Sequence, residues 1–293
     1  MKINKCIILA GGNATRLNPI TFSISKHLLP IYNKPMIYYS ISTVMKAGIR
    51  NFLIITKPQD LISYRKLLGD GRRFGIKIIY KTQSKPRGLP DAFILGKKFI
   101  NNEPICLNLG DHIFFGRDVD KKLNYLVKNF SKSTIFTFYS KNPNSYGVLY
   151  KNKLAKKIIE KPKKLISNKI ICGIYFFTPD VVEKSMKLKK SKRGEIEITD
   201  LNNQYLSKNL LNIEHINSKN FWFDAGSPDK IFIISKLIKD YEKKFKTLVG
   251  SLELIALENN FINISKFKKN INLQDNSSYG KSLNILYNKL RHK

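Results

Sequence analysis

The chain has 293 residues, and its 53 lysines and arginines outnumber its 21 aspartates and glutamates, giving a formal net charge of +32. Hydrophobic residues at 42% exclude a disordered polycation, and every apolar run ends well short of the about 18 residues that a transmembrane helix needs. Because three cysteines are too few for a disulfide framework, we expect a compact cytoplasmic protein with a sizeable core.

The first 130 residues alternate short apolar runs with segments of helical periodicity. Strands are predicted at 5–10, 52–56, 77–80 and 105–109, and helices at 35–47, 59–68 and 90–100. This β–α alternation predicts a parallel sheet with helices on both faces and right-handed crossovers.

Beyond about residue 130 the pattern changes. Strand candidates follow closely at 133–140, 146–150, 154–160 and 170–177, and they predict a small mixed β region beside the parallel sheet. A long helix is predicted over 228–247, followed by short helices to the end. We therefore predict an α/β fold with a main domain over 1–247 and a C-terminal helical appendage over 248–293.

The positive charge leaves more than one interpretation open. It can attract nucleic acid, raise the encounter rate of a small anionic substrate, or belong to a solvated lysine-rich surface. No aromatic RNA-binding motif, zinc-finger spacing or long basic tail accompanies the lysines, which disfavours a nucleic-acid-binding function.

A glycine pair follows the first strand directly. Gly11 and Gly12 let backbone N–H groups approach a phosphate or a base without obstruction by a Cβ, and Arg16 and Lys26 add two cations in the following loop. The loop matches neither the P-loop nor the dinucleotide-binding fingerprint, so a tight surface turn remains the alternative.

Two carboxylates stand where strands end. Asp111 follows the apolar run ICLNLG, and Asp224 lies in FWFDAG. Open α/β sheets bind ligands at the carboxyl ends of their strands, and carboxylate oxygens suit Mg²⁺. The alternative is an aspartate that caps the next helix.

The loop sequence LAGGNATRLNPITFSISKHLLPIYNKPMIYY resembles the N-terminal signature of the sugar-1-phosphate nucleotidyltransferases, and most closely that of the thymidylyltransferases acting on glucose-1-phosphate. The resemblance continues in the family's order through GDGRRFGIKIIY, LGDHIFFG, YGVLY, IEKP, GEIEITDLNNQYL, FWFDAG and SLELIALENNFI. It covers nearly the whole chain, and the ordered set is much more specific than any single motif.

The resemblance implies a glycosyltransferase-A-like, Rossmann-like, mostly parallel sheet with a nucleotide part over about 1–130 and a sugar-binding part over about 131–227. It implies a homotetramer with feedback regulation. The reaction would join a nucleoside triphosphate, dTTP or UTP, to a sugar-1-phosphate and release pyrophosphate. Because the attacking phosphate oxygen is already anionic, no general base is needed, and positioning with cationic stabilisation would carry the catalysis.

The resemblance also implies a role for individual residues. The catalytic cations are Arg16, Lys26 and Lys161, and the Mg²⁺ ligands are Asp111 and Asp224. The nucleotide is expected at Leu9, Gly11, Gly12, Thr15, Gln83 and Gly88, and the sugar at Gly147, Glu160, Ile171 and Cys172.

The chain departs from the family's pattern near the predicted site. The departures are Ala14 for glycine, His27 for glutamine, Pro90-Asp91 for Ala-Gln, His112 for asparagine, Cys172 for threonine and Ala225 for threonine. Asp91 is notable because it can add negative charge near the nucleotide. Two interpretations stay open: an enzyme with a changed sugar or base preference, or a homologue that binds a nucleotide sugar but turns over poorly.

Overall fold

A mixed β-sheet forms the centre of the molecule in the computed structural model, which describes residues 1–151, 156–217 and 219–291. The strands are β1 Lys5–Ala10, β2 Pro30–Ile31, β3 Lys34–Pro35, β4 Asn51–Thr56, β5 Lys77–Thr82, β6 Ile105–Leu109, β7 His112–Phe115, β8 Ser133–Tyr139, β9 Gly147–Lys151, β10 Lys156–Glu160, β11 Lys169–Phe177, β12 Leu211–His215 and β13 Phe221–Asp224. The helices are α1 Met36–Lys46, α2 Leu61–Leu68, α3 Asp91–Leu95, α4 Lys97–Ile100, α5 Arg117–Lys128, α6 Val181–Met186, α7 Ile198–Ser207, α8 Pro228–Phe245, α9 Leu252–Glu258, α10 Ile264–Asn272 and α11 Ser278–Arg291. Residues 154 and 155 of the strand predicted at 154–160 lie outside the described residues.

The N-terminal half supplies the parallel part of the sheet. Strand β1 pairs in parallel with β4 and β6, and β4 pairs in parallel with β5. Successive β1 residues point to opposite faces, so Cys6 and Ile8 enter one core cluster and Ile7 enters the other. Because these four strands run parallel, their carboxyl ends lie on the same side of the sheet.

The second half adds the mixed region that the sequence predicts. Strand β11 pairs antiparallel with β6, β8 and β9, and β10 extends the sheet beyond β9. Strand β12 lies parallel to β8. The mostly parallel sheet with an appended mixed region confirms the predicted fold class.

The predicted helix over 90–100 is divided into α3 and α4. The break falls at Gly96, where a Cβ would lie 2.8 Å from Ile7 Cδ1 and 2.9 Å from the Ala92 carbonyl oxygen. The helix therefore passes so close to β1 that only glycine fits.

The C-terminal helices share the core with α1. Leu252, Phe267 and Leu283 join the same cluster as Ile37 and Ile41. A division into domains at residue 247 stays a prediction. Among the helices of the described ranges, none combines the length and the apolar character needed to cross a bilayer.

Candidate active site

A cavity of about 340 Å³ opens at the carboxyl ends of β1 and β6. Most of the predicted site residues line it, although they come from distant parts of the chain. Those residues are Leu9, Gly11, Gly12, Arg16, Gln83, Gly88, Asp111, Gly147, Glu160, Lys161, Ile171 and Asp224.

Thr15, Lys26 and Cys172 do not line this cavity. Thr15 is exposed on the turn after the glycine pair, and Lys26 is buried behind the residues that line the cavity. The Cys172 side chain is fully buried in the core, so its predicted contact with the sugar stays a prediction that the position of the side chain does not support. Strand side chains alternate between faces, so Ile171 and Gly173 face the cavity while Cys172 points away.

A two-stranded ribbon brings the two predicted carboxylates together. Strands β7 and β13 pair antiparallel, with Asp224 opposite His112. The Ala225 N–H donates a hydrogen bond of 3.0 Å to the Asp111 carbonyl oxygen. At Ala225 the contact is made by the backbone, so an alanine side chain suffices there.

Lys26 controls the charge of Asp111. Its Nζ donates to Asp111 Oδ2 at 2.5 Å, and both groups are shielded from solvent. Burial opposes ionisation, but the nearby positive charge of Lys26 outweighs it and holds the pKa of Asp111 well below its usual range. Asp111 is therefore a carboxylate at neutral pH.

Asp224 is held by two residues for which the sequence predicts no role. Lys230 Nζ donates to Asp224 Oδ1 at 2.6 Å, and the Tyr146 hydroxyl donates to Oδ2. Burial opposes ionisation, but these bonds lower the pKa of Asp224. Tyr146 opens the YGVLY motif, whereas nothing in the sequence marks Lys230 among the other lysines.

His112 presents a neutral ring to the cavity. Its Nδ1 accepts hydrogen bonds from the Gly173 N–H at 3.0 Å and from Trp222 Nε1–H at 3.2 Å. Burial lowers the pKa of His112. With Nδ1 occupied as an acceptor, the ring proton belongs on Nε2, which lies 3.8 Å from Asp111 Oδ1.

The predicted sugar-side residues are also in mutual contact. Glu160 Oε2 accepts a hydrogen bond of 2.6 Å from Thr199, and its Oε1 lies 3.5 Å from Arg193 Nη1. A Cβ on Gly147 would lie 3.4 Å from Glu160 Oε2. Thr199 lies within the motif GEIEITDLNNQYL and Arg193 immediately precedes it, but no role is predicted for either from the sequence.

Two non-glycine residues of the site adopt left-handed backbone conformations. Ala14 has φ 51° and Lys161 has φ 41°. Glycine tolerates this region best, which explains why glycine is the usual residue at position 14. The Lys161 N–H donates to the Tyr146 carbonyl oxygen at 3.0 Å, which holds the strained backbone in place.

The described residues contain no group of three or more His, Cys, Asp or Glu side chains arranged to hold a metal. Two ionised carboxylates on one cavity still suit Mg²⁺, which is commonly held by one or two carboxylates together with substrate phosphates and water.

The chain is similar to known proteins over most of its length. The pattern of the nucleotidyl transferase family matches residues 5–241. The chain is 40% identical to the glucose-1-phosphate thymidylyltransferase of Neisseria meningitidis serogroup A over 95% of this chain and 98% of that protein. The structure of a candidate glucose-1-phosphate thymidylyltransferase from Bacillus anthracis superposes with a TM-score of 0.74 at 33% identity, covering 80% of this chain and 95% of the other. A UDP-glucose pyrophosphorylase in complex with UDP-glucose superposes with a TM-score of 0.70 at 26% identity, covering 83% and 99%.

Proposed function

Because the chain belongs to the nucleotidyl transferase family, we propose that it joins a nucleoside triphosphate, preferably dTTP or UTP, to a sugar-1-phosphate, preferably glucose-1-phosphate. The relative in Neisseria meningitidis is named for thymidylyl transfer to glucose-1-phosphate, and the related pyrophosphorylase was solved with UDP-glucose. The observation that carries the proposal is one cavity lined by both Arg16 and Lys161 and by the carboxylates Asp111 and Asp224.

The proposed reaction is an in-line displacement. A phosphate oxygen of the sugar-1-phosphate attacks the α-phosphorus of the triphosphate, and the bond to the β-phosphate oxygen breaks to release pyrophosphate. Arg16 lies on the nucleotide side, after the glycine pair, and Lys161 lies on the sugar side, after Glu160. Their charges offset the repulsion between two anions and stabilise charge on the transferring phosphoryl group.

Asp111 and Asp224 are the proposed ligands of a divalent ion, for which we propose Mg²⁺. When bound, such an ion neutralises phosphate oxygens and helps to align them. Lys26 and Lys230 keep the two carboxylates ionised and in position, so the site's charge is set before substrates enter.

We propose the cytoplasm as the place of action. The three cysteines are free and buried, which suits a reducing compartment.

The test is a pyrophosphate-release assay with purified protein across the common nucleoside triphosphates and several sugar-1-phosphates, with Mg²⁺ and with EDTA. We expect release that depends on Mg²⁺ and is largest with dTTP or UTP. Asp224→Asn should lose activity, while Asp229→Asn, which changes an exposed aspartate in the first turn of the following helix α8, should keep it. Nucleotide-sugar binding without pyrophosphate release from any pair would contradict the proposal and indicate a non-catalytic homologue.

A further inference from the structure

We propose that Asp91 is a positioning residue for base recognition, fixing the Gln83 side-chain amide so that its oxygen faces the cavity. The inference rests on the proposed function, in which Gln83 meets the pyrimidine of the nucleotide. Asp91, the residue that differs most in charge from the family's pattern, thereby becomes a determinant of base choice.

The two side chains form a short, shielded pair. Gln83 Nε2 donates to Asp91 Oδ2 at 2.6 Å, and the two residues are only 9% and 5% exposed. The Gln83 backbone is anchored as well, because its N–H donates to the Thr56 carbonyl oxygen at 2.8 Å. Asp91 begins helix α3, and its N–H donates to the Gly88 carbonyl oxygen at 3.3 Å.

The chemistry of the pair allows one orientation of the amide. An ionised carboxylate has only acceptors, whereas an amide carries a donor end and an acceptor end. The NH₂ group of Gln83 must therefore turn toward Asp91. A glutamine at position 91, as is usual in the family, has both kinds of group and would allow either orientation.

The amide oxygen is consequently left for the ligand. Gln83 Oε1 lies beside the glycine loop, 3.6 Å from where a Cβ of Gly11 would stand. Gln83 and Gly11 both line the cavity, whereas Asp91 does not. Asp91 therefore stands behind the amide, and the cavity receives an acceptor from Gln83 instead of a full negative charge from Asp91.

An acceptor at this place discriminates between pyrimidines. Thymine and uracil carry an N3–H donor, but cytosine has a bare N3 acceptor at the same position. Two acceptors facing each other in a buried site leave both unpaired, which is costly. Gly88 lines the same cavity and complements the acceptor of Gln83. Its backbone N–H has no acceptor within the described ranges, so it can donate a hydrogen bond to a base carbonyl.

The experiment measures base discrimination in the full-length protein. The relative kcat/KM for dTTP, UTP and CTP, and their affinities by calorimetry, are compared for the unmodified protein, Asp91→Asn and Asp91→Ala. Asp118→Asn is the matched control, because it also removes an acidic group from the first turn of a helix and does not line the cavity. Thermal melting checks that each variant is folded.

We expect the unmodified protein and Asp118→Asn to prefer dTTP and UTP over CTP. Both Asp91 variants should lose about 10-fold or more of that preference, mainly through better use of CTP. A purely structural role would instead lower activity with all three nucleotides by the same factor.

Two results overturn the inference. One is an unmodified protein whose kcat/KM for CTP equals that for UTP. This result can be observed without any variant. The other is a folded Asp91 variant that keeps the full preference. Failure of the proposed function is a separate result, in which no pair of substrates releases pyrophosphate; the calorimetric affinities for dTTP, UTP and CTP then still test base discrimination.

Discussion

At the residue scale, Lys161 combines a strained backbone with an exposed cation on the cavity wall. A strained residue that the surrounding structure holds in place is common at functional sites. The strained backbone and the position on the cavity wall thus distinguish Lys161 from the many other surface lysines.

Replacing Lys161 with alanine should lower kcat/KM by at least about 100-fold, because the variant lacks a charge that stabilises the transferring phosphoryl group. Steady-state kinetics with dTTP and glucose-1-phosphate measures the loss. Lys163→Ala removes a nearby exposed lysine that does not line the cavity and should change little. Equal effects of the two variants would refute the special role of Lys161.

His27 is a second residue whose environment has a measurable consequence. Burial lowers the pKa of this histidine to about 4, although Asp111 opposes the shift and Lys26 and Lys57 add to it. Its Nδ1 has no hydrogen-bond partner among the described residues. The folded protein therefore holds His27 neutral at pH values where an unfolded chain would bind a proton.

Because the pKa is lower in the folded state, the stability supplied by a neutral His27 is present above about pH 6.5 and is lost as the pH falls toward about 4. Each pKa unit corresponds to about 1.4 kcal/mol, so we expect the free energy of unfolding to fall by about 3 kcal/mol over that range. Asp111 acts in the same direction, because its lowered pKa also contributes stability that is lost in acid, but only in more acidic solution.

Urea unfolding at a series of pH values in EDTA measures this dependence. His27→Gln, which introduces the residue usual in the family, should show a flatter dependence than the unmodified protein. Identical slopes for the two proteins would show that His27 is not the group responsible.

Residues near a strand end could be predicted better than their partners. Asp111 follows from its place after an apolar strand, and Asp224 from a similar context. Lys230 could not be predicted, because only the fold places this lysine against Asp224. The burial of the Cys172 side chain could not be predicted, because the resemblance gives a position in a motif but not the face of the strand on which a side chain lies.

At the scale of elements, local patterns predicted β1, β6, α1 and α8 closely. The glycine at position 96, where the predicted helix is interrupted, was not anticipated, since the need for glycine comes from close packing against β1 and not from the local pattern. Helices α5 and α7 were not assigned either, although α5 has buried residues at helical spacing, Val119, Leu123 and Val127. Tertiary contact therefore explains the glycine at position 96, whereas the spacing of the buried residues in α5 is a helical pattern that the sequence itself contains.

Helix α8 is tied to the β2–β3 hairpin by a buried ion pair. Lys34 Nζ lies 3.0 Å from Glu242 Oε1, and both side chains are nearly inaccessible to solvent. Glu242 Oε1 also accepts a hydrogen bond from the Val249 N–H at 2.8 Å. Since α8 also carries Lys230, this pair links the stability of the helix to the position of Asp224.

Removing one member of the pair should be costly, because the other charge stays buried without its ion-pair partner; for Lys34 only the hydrogen bond to Asn33 Oδ1 would remain among the described residues. We expect Glu242→Leu to lower the free energy of unfolding by about 3–5 kcal/mol, as measured by chemical denaturation. The double variant Lys34→Met/Glu242→Leu should recover a large part of this loss.

The control is Glu183→Leu, which removes a fully exposed partner of Lys187 and should change stability little. A Glu242→Leu variant as stable as this control would show that the pair does not hold α8 in place.

At the scale of the whole molecule, the topology could be predicted because each half of the chain has its own pattern. The regular β–α alternation predicts parallel strands, and the closely spaced strands after residue 130 predict the mixed region. The shape of the cavity could not be predicted, since it depends on how the β7–β13 ribbon sets Asp224 beside His112 at the sheet edge.

The net charge of +32 should make the reaction sensitive to salt, because both proposed substrates are anions. A positive field raises the rate at which anions reach the cavity, and salt screens that field over about 10 Å at 0.1 M. We expect kcat/KM to fall about 10-fold between about 20 mM and about 300 mM KCl, while kcat changes little.

A variant that lacks positive charges distant from the cavity tests whether the long-range field is responsible. Lys239, Lys243, Lys246 and Lys289 line a separate groove between α8 and α11, and none of them lines the active-site cavity. Changing all four to glutamine should flatten the salt dependence of kcat/KM without altering kcat at high salt, since only the long-range field is reduced. If kcat/KM does not respond to salt in either protein, the lysines do not steer substrates, and the charge belongs to a solvated surface.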